Sequence, residues 1–507
     1  MSLQFDFPTN LNAEKFIAKL SGKVDIEFVS KQFTLKTYYD SFDWRLYKNN
    51  LTCEFNRSKS ESLLIVRNIE NNLVIASTDI KEIPKFTKEI NSESINQILN
   101  PLLDMRALLP MCNLDYVTFY LNILNKDKKT LLRLLVEEHE LLNNRVTLLP
   151  IKGYEKATEH LVSIITTKLE LTPTNKSLMN SALRLQGRKP NDYSSKININ
   201  LDPEMRADIA IKYIYSHLLK AIKDNEQGAI ADIDSEFLHD FRVAVRRTRS
   251  GLSQLKGVIP EKINTHYADF FSWLGQITGP TRDLDVYLLN FAHYKNSLPV
   301  TIRDDLDPLY EFLLIKQRKA QKELAKKLCS AQYLTILSEW KSFLKEQAPV
   351  KPIEPNANLT IEQFANSRIL KNYNRVLKQG NKIDENSPPE ALHDLRKSCK
   401  KLRYLMEFFQ SLYAEQQVKL FIKNLKALQQ VLGDFQDYAV QESTLKLFSE
   451  EMLIKNTSAN TLMAMGVLIQ NLHAFKEKAR KDFSDKFHTF SHIENQFAIK
   501  RLLTIKD

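Results

Sequence analysis

"FLHDFRVAVRRTR", residues Phe237 to Arg249, returns almost intact as "ALHDLRKSCKKLR", residues Ala391 to Arg403. The second histidine lies 154 residues after the first, 393 against 239. At that offset Asp240 falls on Asp394, Arg242 on Arg396 and Arg249 on Arg403, with Arg246 and Arg247 opposite Lys400 and Lys401. The correspondence runs outward without a gap. "ADIAIKYIYSHLLKAIK" (207–223) pairs with "IEQFANSRILKNYNRVL" (361–377). Leu274, Gln276, Gly279 and Asp283 pair with Leu428, Gln430, Gly433 and Asp437, and Ile315, Lys322, Glu323 and Ala325 pair with Ile469, Lys476, Glu477 and Ala479. Every strong signal in this region has a helical period, so a tandem duplication of about four helices is expected. It implies an all-α domain of two pseudo-symmetric four-helix bundles.

At 507 residues the chain is too long for one hydrophobic core. Apolar residues make up 43% and charged residues 26%, while Gly (11) and Pro (17) are scarce, which favours long helices over a turn-rich all-β chain. The net charge of +11 points to an anionic partner. Cys53, Cys112, Cys329 and Cys399 are too widely spaced for a C-x-x-C metal or redox motif; they suit a reducing compartment and read as small buried apolar residues. The first residues, "MSLQFDFPTN", lack a basic segment followed by an apolar core, and no run of about 18 apolar residues occurs. A soluble cytoplasmic protein with no membrane contact is expected.

The first 185 residues alternate with the period of strands instead: Val24, Ile26, Phe28; Phe33, Leu35, Thr37; Leu51, Cys53, Phe55; then "SLLIVRN", "LVIAST", "DYVTFYLNIL", "TLLRLLVEE" and "NNRVTLLP". Two helices, "NAEKFIAKL" and "EKATEHLVSIITTKL", bracket most of them. Antiparallel strands in that number best lose their edges by rolling into a barrel or tunnel. "QGRKPNDYSSKININLDP" reads as a linker. The expected organisation is α+β in two domains: an antiparallel β-barrel or tunnel over 1–185, a linker over 186–202, and a helical domain over 203–490 with halves at 203–345 and 357–490.

On a helix turning about 100° per residue, His239, Arg242, Arg246 and Arg249 share an arc of about 80°, and His393, Arg396, Lys400 and Arg403 do the same. Stacked cations repel, yet no acid lies between Arg242 and Arg249 or between Arg396 and Arg403. Two such arcs suit a phosphate-rich polyanion, because the arginine fork matches phosphate oxygens and lysine adds point charge. A histidine beside accumulated negative charge gains a proton and strengthens binding as pH falls. Further candidates are Lys322 and Lys326, paired with Lys476 and Arg480, and Arg282, which faces Gln436 in the second copy. There is no phosphate-cradling glycine loop, no H-E-x-x-H and no nucleophile with a paired base, so neither a metal nor a catalytic residue is expected here.

At these residues the sequence resembles the CHAD family, the conserved histidine α-helical domain, whose signature is a duplicated LH-x-x-R-x-x-x-[RK]-[RK]-x-R helix. The resemblance spans roughly 203–490. It implies two pseudo-symmetric four-helix bundles that bind inorganic polyphosphate on the basic surface around the paired helices. It carries over His239, Arg242, Arg246, Arg247 and Arg249, and their partners His393, Arg396, Lys397, Lys400, Lys401 and Arg403. Val243 stands opposite Lys397, so the first copy is the less basic.

"TYYDSFDWRLYKNNLT" is similar to a strand and hairpin of the CYTH family, the triphosphate tunnel fold that often precedes a CHAD domain. The catalytic version of that family starts with E-x-E-x-K on its first strand, which holds a divalent metal on a triphosphate. Here "SLQFDF" occupies that place, with Ser2, Gln4 and Asp6 at the motif positions; Asp25 and Glu27 share a strand face only after the first helix. The paired arginines after the hairpin are replaced by Thr52 and Glu54; Arg67, Arg133 and Arg145, on later strands, read as exposed strand residues, with a place lining the tunnel as the alternative. The expected function is therefore a polyphosphate-binding protein with a degenerate tunnel domain, cytoplasmic and associated with polyphosphate granules. Two alternatives stay open: an Mg²⁺-dependent triphosphatase acting in the tunnel, and a non-specific nucleic-acid binder. The latter would want aromatic residues among the charges, and the signature helices offer only Phe237, Phe241 and Tyr404.

Overall fold

The computed structural model describes residues 3–503 and divides into two compact units, Met1–Ser194 and Ser195–Asp507. The first holds strands β1 (Leu3–Asp6), β2 (Asp25–Asp40), β3 (Leu51–Arg57), β4 (Ser62–Asn68), β5 (Val74–Asp79), β6 (Leu109–Leu124), β7 (Thr130–His139), β8 (Arg145–Pro150) and β9 (Thr172–Pro173). Its helices are α1 (Ala13–Ser21), α2 (Arg45–Lys48), α3 (Glu93–Leu103), α4 (Glu155–Thr167) and α5 (Leu178–Leu185). The strands form one antiparallel sheet in the order β5-β4-β3-β2-β6-β7-β8-β1-β9. The two runs read as separate strands before Asp40 are one 16-residue strand, bulged between Phe28 and Ser30. Helices α3 and α5 were not anticipated, since α3 contains Pro101 and α5 is only eight residues long.

Alternation gives the sheet two unlike faces. One is apolar: Phe5, Leu121, Leu134, Val136 and Val146 pack with Phe16 and Ile165 of α1 and α4, while Cys53, Leu64 and Val66 pack with Ile95 and Leu99 of α3. The register puts Asp6, Lys36, Glu54, Thr118, Glu137 and Arg145 on the other. Helix α5 covers only one end of this face, through Met179, Ala182 and Leu183. Asp6, Lys36, Glu54 and Arg145 are nonetheless buried. Charges sequestered on a face that two turns of helix cover require the sheet to curl around them.

The second unit comprises α6 (Ala207–Ile230), α7 (Ser235–Gln254), α8 (Glu261–Ile277), α9 (Gly279–Leu289), α10 (Phe291–Ser297), α11 (Asp307–Leu328), α12 (Ala331–Lys345), α13 (Ile361–Gly380), α14 (Pro389–Phe409), α15 (Glu415–Ile454), α16 (Ala459–Ser491) and α17 (Ile493–Leu503). The duplication is visible in the helix starts: 207, 235 and 261 recur at 361, 389 and 415, each 154 residues on. The copies diverge after that. Where the first half breaks into α8, α9 and α10, the second runs through as the 40-residue α15. A shared core ties the halves together, with Phe291, Leu309 and Leu313 of the first packed with Leu445, Phe448 and Leu468 of the second.

Part of the polar run read as a linker is docked. Ile197, Ile199 and Leu201 are buried, Gln410 Nε2 donates to the Ile197 carbonyl at 2.6 Å, and the Leu201 amide donates to Ser411 Oγ at 3.1 Å. Of the four free cysteines Cys53, Cys112 and Cys399 are buried as expected; Cys329 is exposed, because it ends α11 on the solvent side. Among the described residues no helix is long and apolar enough to cross a membrane.

Candidate functional site

Helix α7 starts where Asp234 caps it, accepting from the Glu236 and Phe237 amides at 2.9 and 3.1 Å. Its stripe of Phe237, Phe241, Ala244, Val245, Thr248 and Leu252 is buried. Helix α14 opens instead on Pro388 and Pro389, with proline at the first helical position, and buries Leu392, Leu395, Cys399, Leu402 and Met406. These stripes fix which way the polar faces turn. The basic residues emerge half-buried at the edges of the packed face: His239, Arg242, Arg246 and Arg247 on α7, and His393, Arg396, Lys400, Lys401 and Arg403 on α14. Arg249 and Lys397 are exposed.

The two helices meet. Gln254 Nε2 on α7 donates to the Lys401 carbonyl on α14 at 3.3 Å, and Arg247 Nη2 reaches Glu407 of α14 at 2.8 Å. Across this junction the charges crowd. Burial first, then the Arg396, Arg246 and Arg403 guanidiniums, pull the Lys400 ammonium down to about 8, and Asp437 offsets only part of this. Arg242 is lowered to about 10, chiefly by burial; Asp283 opposes the shift, and Arg246, Arg282 and Arg249 add to it. Arg246 thus acts on cations of both copies. Among the described residues its Nε, like that of Arg396, is buried with no hydrogen-bond partner. Buried donors left without acceptors cost stability, and an anion would relieve that cost.

Each signature arginine is held by the following helices. Arg396 Nη2 donates to Asp437 Oδ1 on α15 at 2.9 Å, and Arg242 Nη1 donates to Thr278 Oγ1 at 2.7 Å and the Gly275 carbonyl at 3.2 Å. The repeat-paired glycines 279 and 433 lie beside these arginine heads, and a Cβ on either would make only ordinary van der Waals contact, at 3.7 or 3.5 Å. His393 Nδ1 lies 2.7 Å from Gln436 Oε1, which fixes the ring and leaves Nε2 for a ligand. In the first copy Arg282 replaces that glutamine and donates to the Ser235 carbonyl at 3.2 Å.

Other sequence candidates lie apart from this cluster or are already engaged. Lys476 is bound to Glu442 at 2.8 Å, which, with Lys446, holds that carboxyl down at about 2. Arg480 bonds to the carbonyls of Glu385 and Ser387 in the loop before α14. Lys397 pairs with Asp394 at 2.7 Å. Lys322 and Lys326 are exposed on α11, opposite its buried Gln321, Leu324 and Leu328. Sequence reasoning missed Glu407. It lies one turn beyond the matched stretch, at i+4 from Arg403, and that spacing was the available signal.

Two carboxylates on the polar face of the first unit are held by cations of the same face. Arg145 Nε bonds Asp6 at 3.0 Å; Glu54 takes Lys36 at 3.4 Å and Arg67 at 3.3 Å. Burial raises the Glu54 carboxyl, but Lys36 and Arg67 overcome this and hold it below its ordinary range. Arg145 is therefore buried and Arg67 half-buried, against the expectation of exposed strand residues; only Arg133 is exposed. Asp25 and Glu27 are exposed and paired, with Lys128 at 2.6 Å and Asn122 at 2.8 Å. Of the motif positions on β1, Gln4 lies beside Thr147 and Asp6 in its ion pair, while Ser2 lies outside the described residues. Among the described residues no group of three or more His, Cys, Asp or Glu is placed to hold a metal ion.

Comparison with known proteins agrees with the helical reading. The CHAD domain profile matches residues 214–446. Two uncharacterized proteins of Mycobacterium tuberculosis, from strains CDC 1551 and H37Rv, are 24% identical over 246 residues, 48% of this chain; that alignment spans 46% of their own length. Among solved structures, the CHAD domain of the plant Ricinus communis is 24% identical, covering 57% of this chain and 94% of its own, with a TM-score of 0.49. PptA from Streptomyces chartreusis is 13% identical, covering 56% and 99%, at 0.44. HpAC1 of Hippeastrum, for which a dominant triphosphatase activity is described, is 10% identical and covers 38% of this chain and 99% of its own, at 0.27.

Proposed function

From the CHAD domain that this chain carries at residues 214–446, we propose that the protein binds inorganic polyphosphate along one basic face built from both copies of the repeated helix. The observation that carries this reading is the junction of the two basic helices, where Gln254 of α7 bonds the Lys401 carbonyl of α14 and Arg247 reaches Glu407. Beside it Lys400 is lowered to about 8, first by burial and then by Arg396 of its own helix and Arg246 of α7. Such crowding is unfavourable in the free protein, and a phosphate chain removes it. His239, Arg242, Arg246 and Arg249 would form one wall, and His393, Arg396, Lys400 and Arg403 the other.

A chain that touches both walls makes its second engagement intramolecular, so long polyphosphate should bind far more tightly than tripolyphosphate. The test is calorimetry of the full-length protein with each phosphate over a salt series. Long-chain affinity should fall steeply as salt rises, since every neutralised phosphate releases counterions. Salt-independent binding, or none, rejects the proposal. Competition with RNA of equal charge separates it from non-specific nucleic-acid binding.

A further inference from the structure

Where the two basic helices meet, Glu407 gives one carboxylate oxygen to each copy. Its Oε2 accepts from Arg247 Nη2 at 2.8 Å and Nε at 3.2 Å, and its Oε1 lies 3.3 Å from Arg403 Nε. All three side chains are largely buried, at 14%, 12% and 26% exposure. Glu407 follows Lys400 by seven residues and Arg403 by four, so it extends the same face of α14.

We propose that Glu407 is a built-in competitor for the polyanion, holding one arginine of each copy in the free protein and yielding both to a phosphate group. This deepens the polyphosphate reading and rests on it. The carboxylate presents two oxygens to two guanidiniums, the arrangement that two non-bridging phosphate oxygens would reproduce with more charge. The repeat itself says that the fold does not demand an acid here. The position equivalent to Glu407 is Ser253, and the cations equivalent to its partners are Lys401 and Arg249. Among the described residues neither of these has a carboxylate within ion-pair distance, and Arg249 makes only a 3.5 Å contact to Ser272 Oγ. One copy of the site is therefore occupied by the protein's own anion and the other is not. A polyphosphate reaching the occupied one must break two charge-assisted contacts and then lie beside a displaced like charge.

A purely structural clamp is the rival, since removing one member of a buried ion pair destabilises a fold. Both roles predict a lower melting temperature for E407Q, so affinity decides between them. Full-length wild type, E407Q, E407D and the exposed control E339Q on α12 are titrated with long-chain polyphosphate at one salt concentration. E407Q should bind on the order of tenfold tighter, the scale of one charge-assisted contact recovered. E407D, whose shorter chain loosens its hold, should fall between it and wild type, and E339Q should change binding by less than about twofold because exposed charges are screened. If E407Q does not fold, E407D carries the test. Wild type that binds while E407Q or E407D binds no tighter, or no tighter than E339Q, overturns the competitor. Wild type that does not bind at all overturns the polyphosphate reading itself.

Discussion

Arg246 of α7 and Lys400 of α14 come from different copies of the repeat, and the first lowers the pKa of the second. The lysine's ordinary value of 10.5 falls to about 8, with burial the largest cause. Between those values the unfolded chain binds the proton that the folded chain has released, so stability rises with pH across this window; below about 8 the full cost of the buried charge is present. A bound polyanion reverses the preference by favouring the ammonium. Near pH 8 binding should therefore take up a fraction of a proton, and affinity should weaken as pH rises from 7 to 9. Calorimetry in buffers of differing ionisation enthalpy measures the uptake. K400R, which keeps its charge at these pH values, should abolish it; an unchanged uptake would assign the proton elsewhere.

If both helices wall one face, damage to either should be felt by the whole ligand. R242A with R246A, or R396A with K400A, should each cost long-chain polyphosphate most of its affinity, about 10-fold to 100-fold for two charge-assisted contacts. Independent sites behave otherwise. Each double variant would then halve the stoichiometry and leave the remaining site's affinity unchanged.

The helical half was legible because duplication turns a weak signal into a strong one. A single basic helix says little, but helix starts repeating 154 residues apart leave few alternatives. What the repeat could not reveal was which cations are already engaged. Lys476 is neutralised by Glu442, and Arg480 is spent on the loop carbonyls before α14, because their partners come from distant sequence. The strands were found for the same reason as the helices, their period. Arg145 was misjudged because burial on a curled sheet depends on a partner, Asp6, some 139 residues away. Ile197, Ile199 and Leu201 alternate visibly inside the supposed linker, yet the polar residues between them hid it.

Stability offers a check on how α7 is seated. Gly228 near the end of α6 lies against the Phe237 ring, and a Cβ built there would overlap it. G228A should force the first turn of α7 aside and destabilise the protein by about 1–3 kcal/mol, the usual cost of overpacking. G466A is the matched control, since a Cβ at that position meets nothing within 4 Å. Thermal melting should separate the two. Equal melting temperatures would mean that Phe237 can retreat without strain.

The last expectation concerns the first unit. A triphosphatase of the tunnel type needs carboxylates free to seat a divalent metal and cations free to hold the phosphates. Here Asp6 is committed to Arg145, and Glu54 to Lys36 and Arg67, each within 3.4 Å on the same face of the sheet, with only Arg67 half-buried. Opening either network strands buried charges, at a cost that a metal and its substrate must first overcome. The full-length protein should therefore release phosphate from tripolyphosphate with Mg²⁺ or Mn²⁺ no faster than a buffer blank. Two variants make the assay decisive. Metal-dependent release that disappears in E54Q or D6N would show that these carboxylates leave their partners for the metal, and the polar face would then be a working catalytic tunnel.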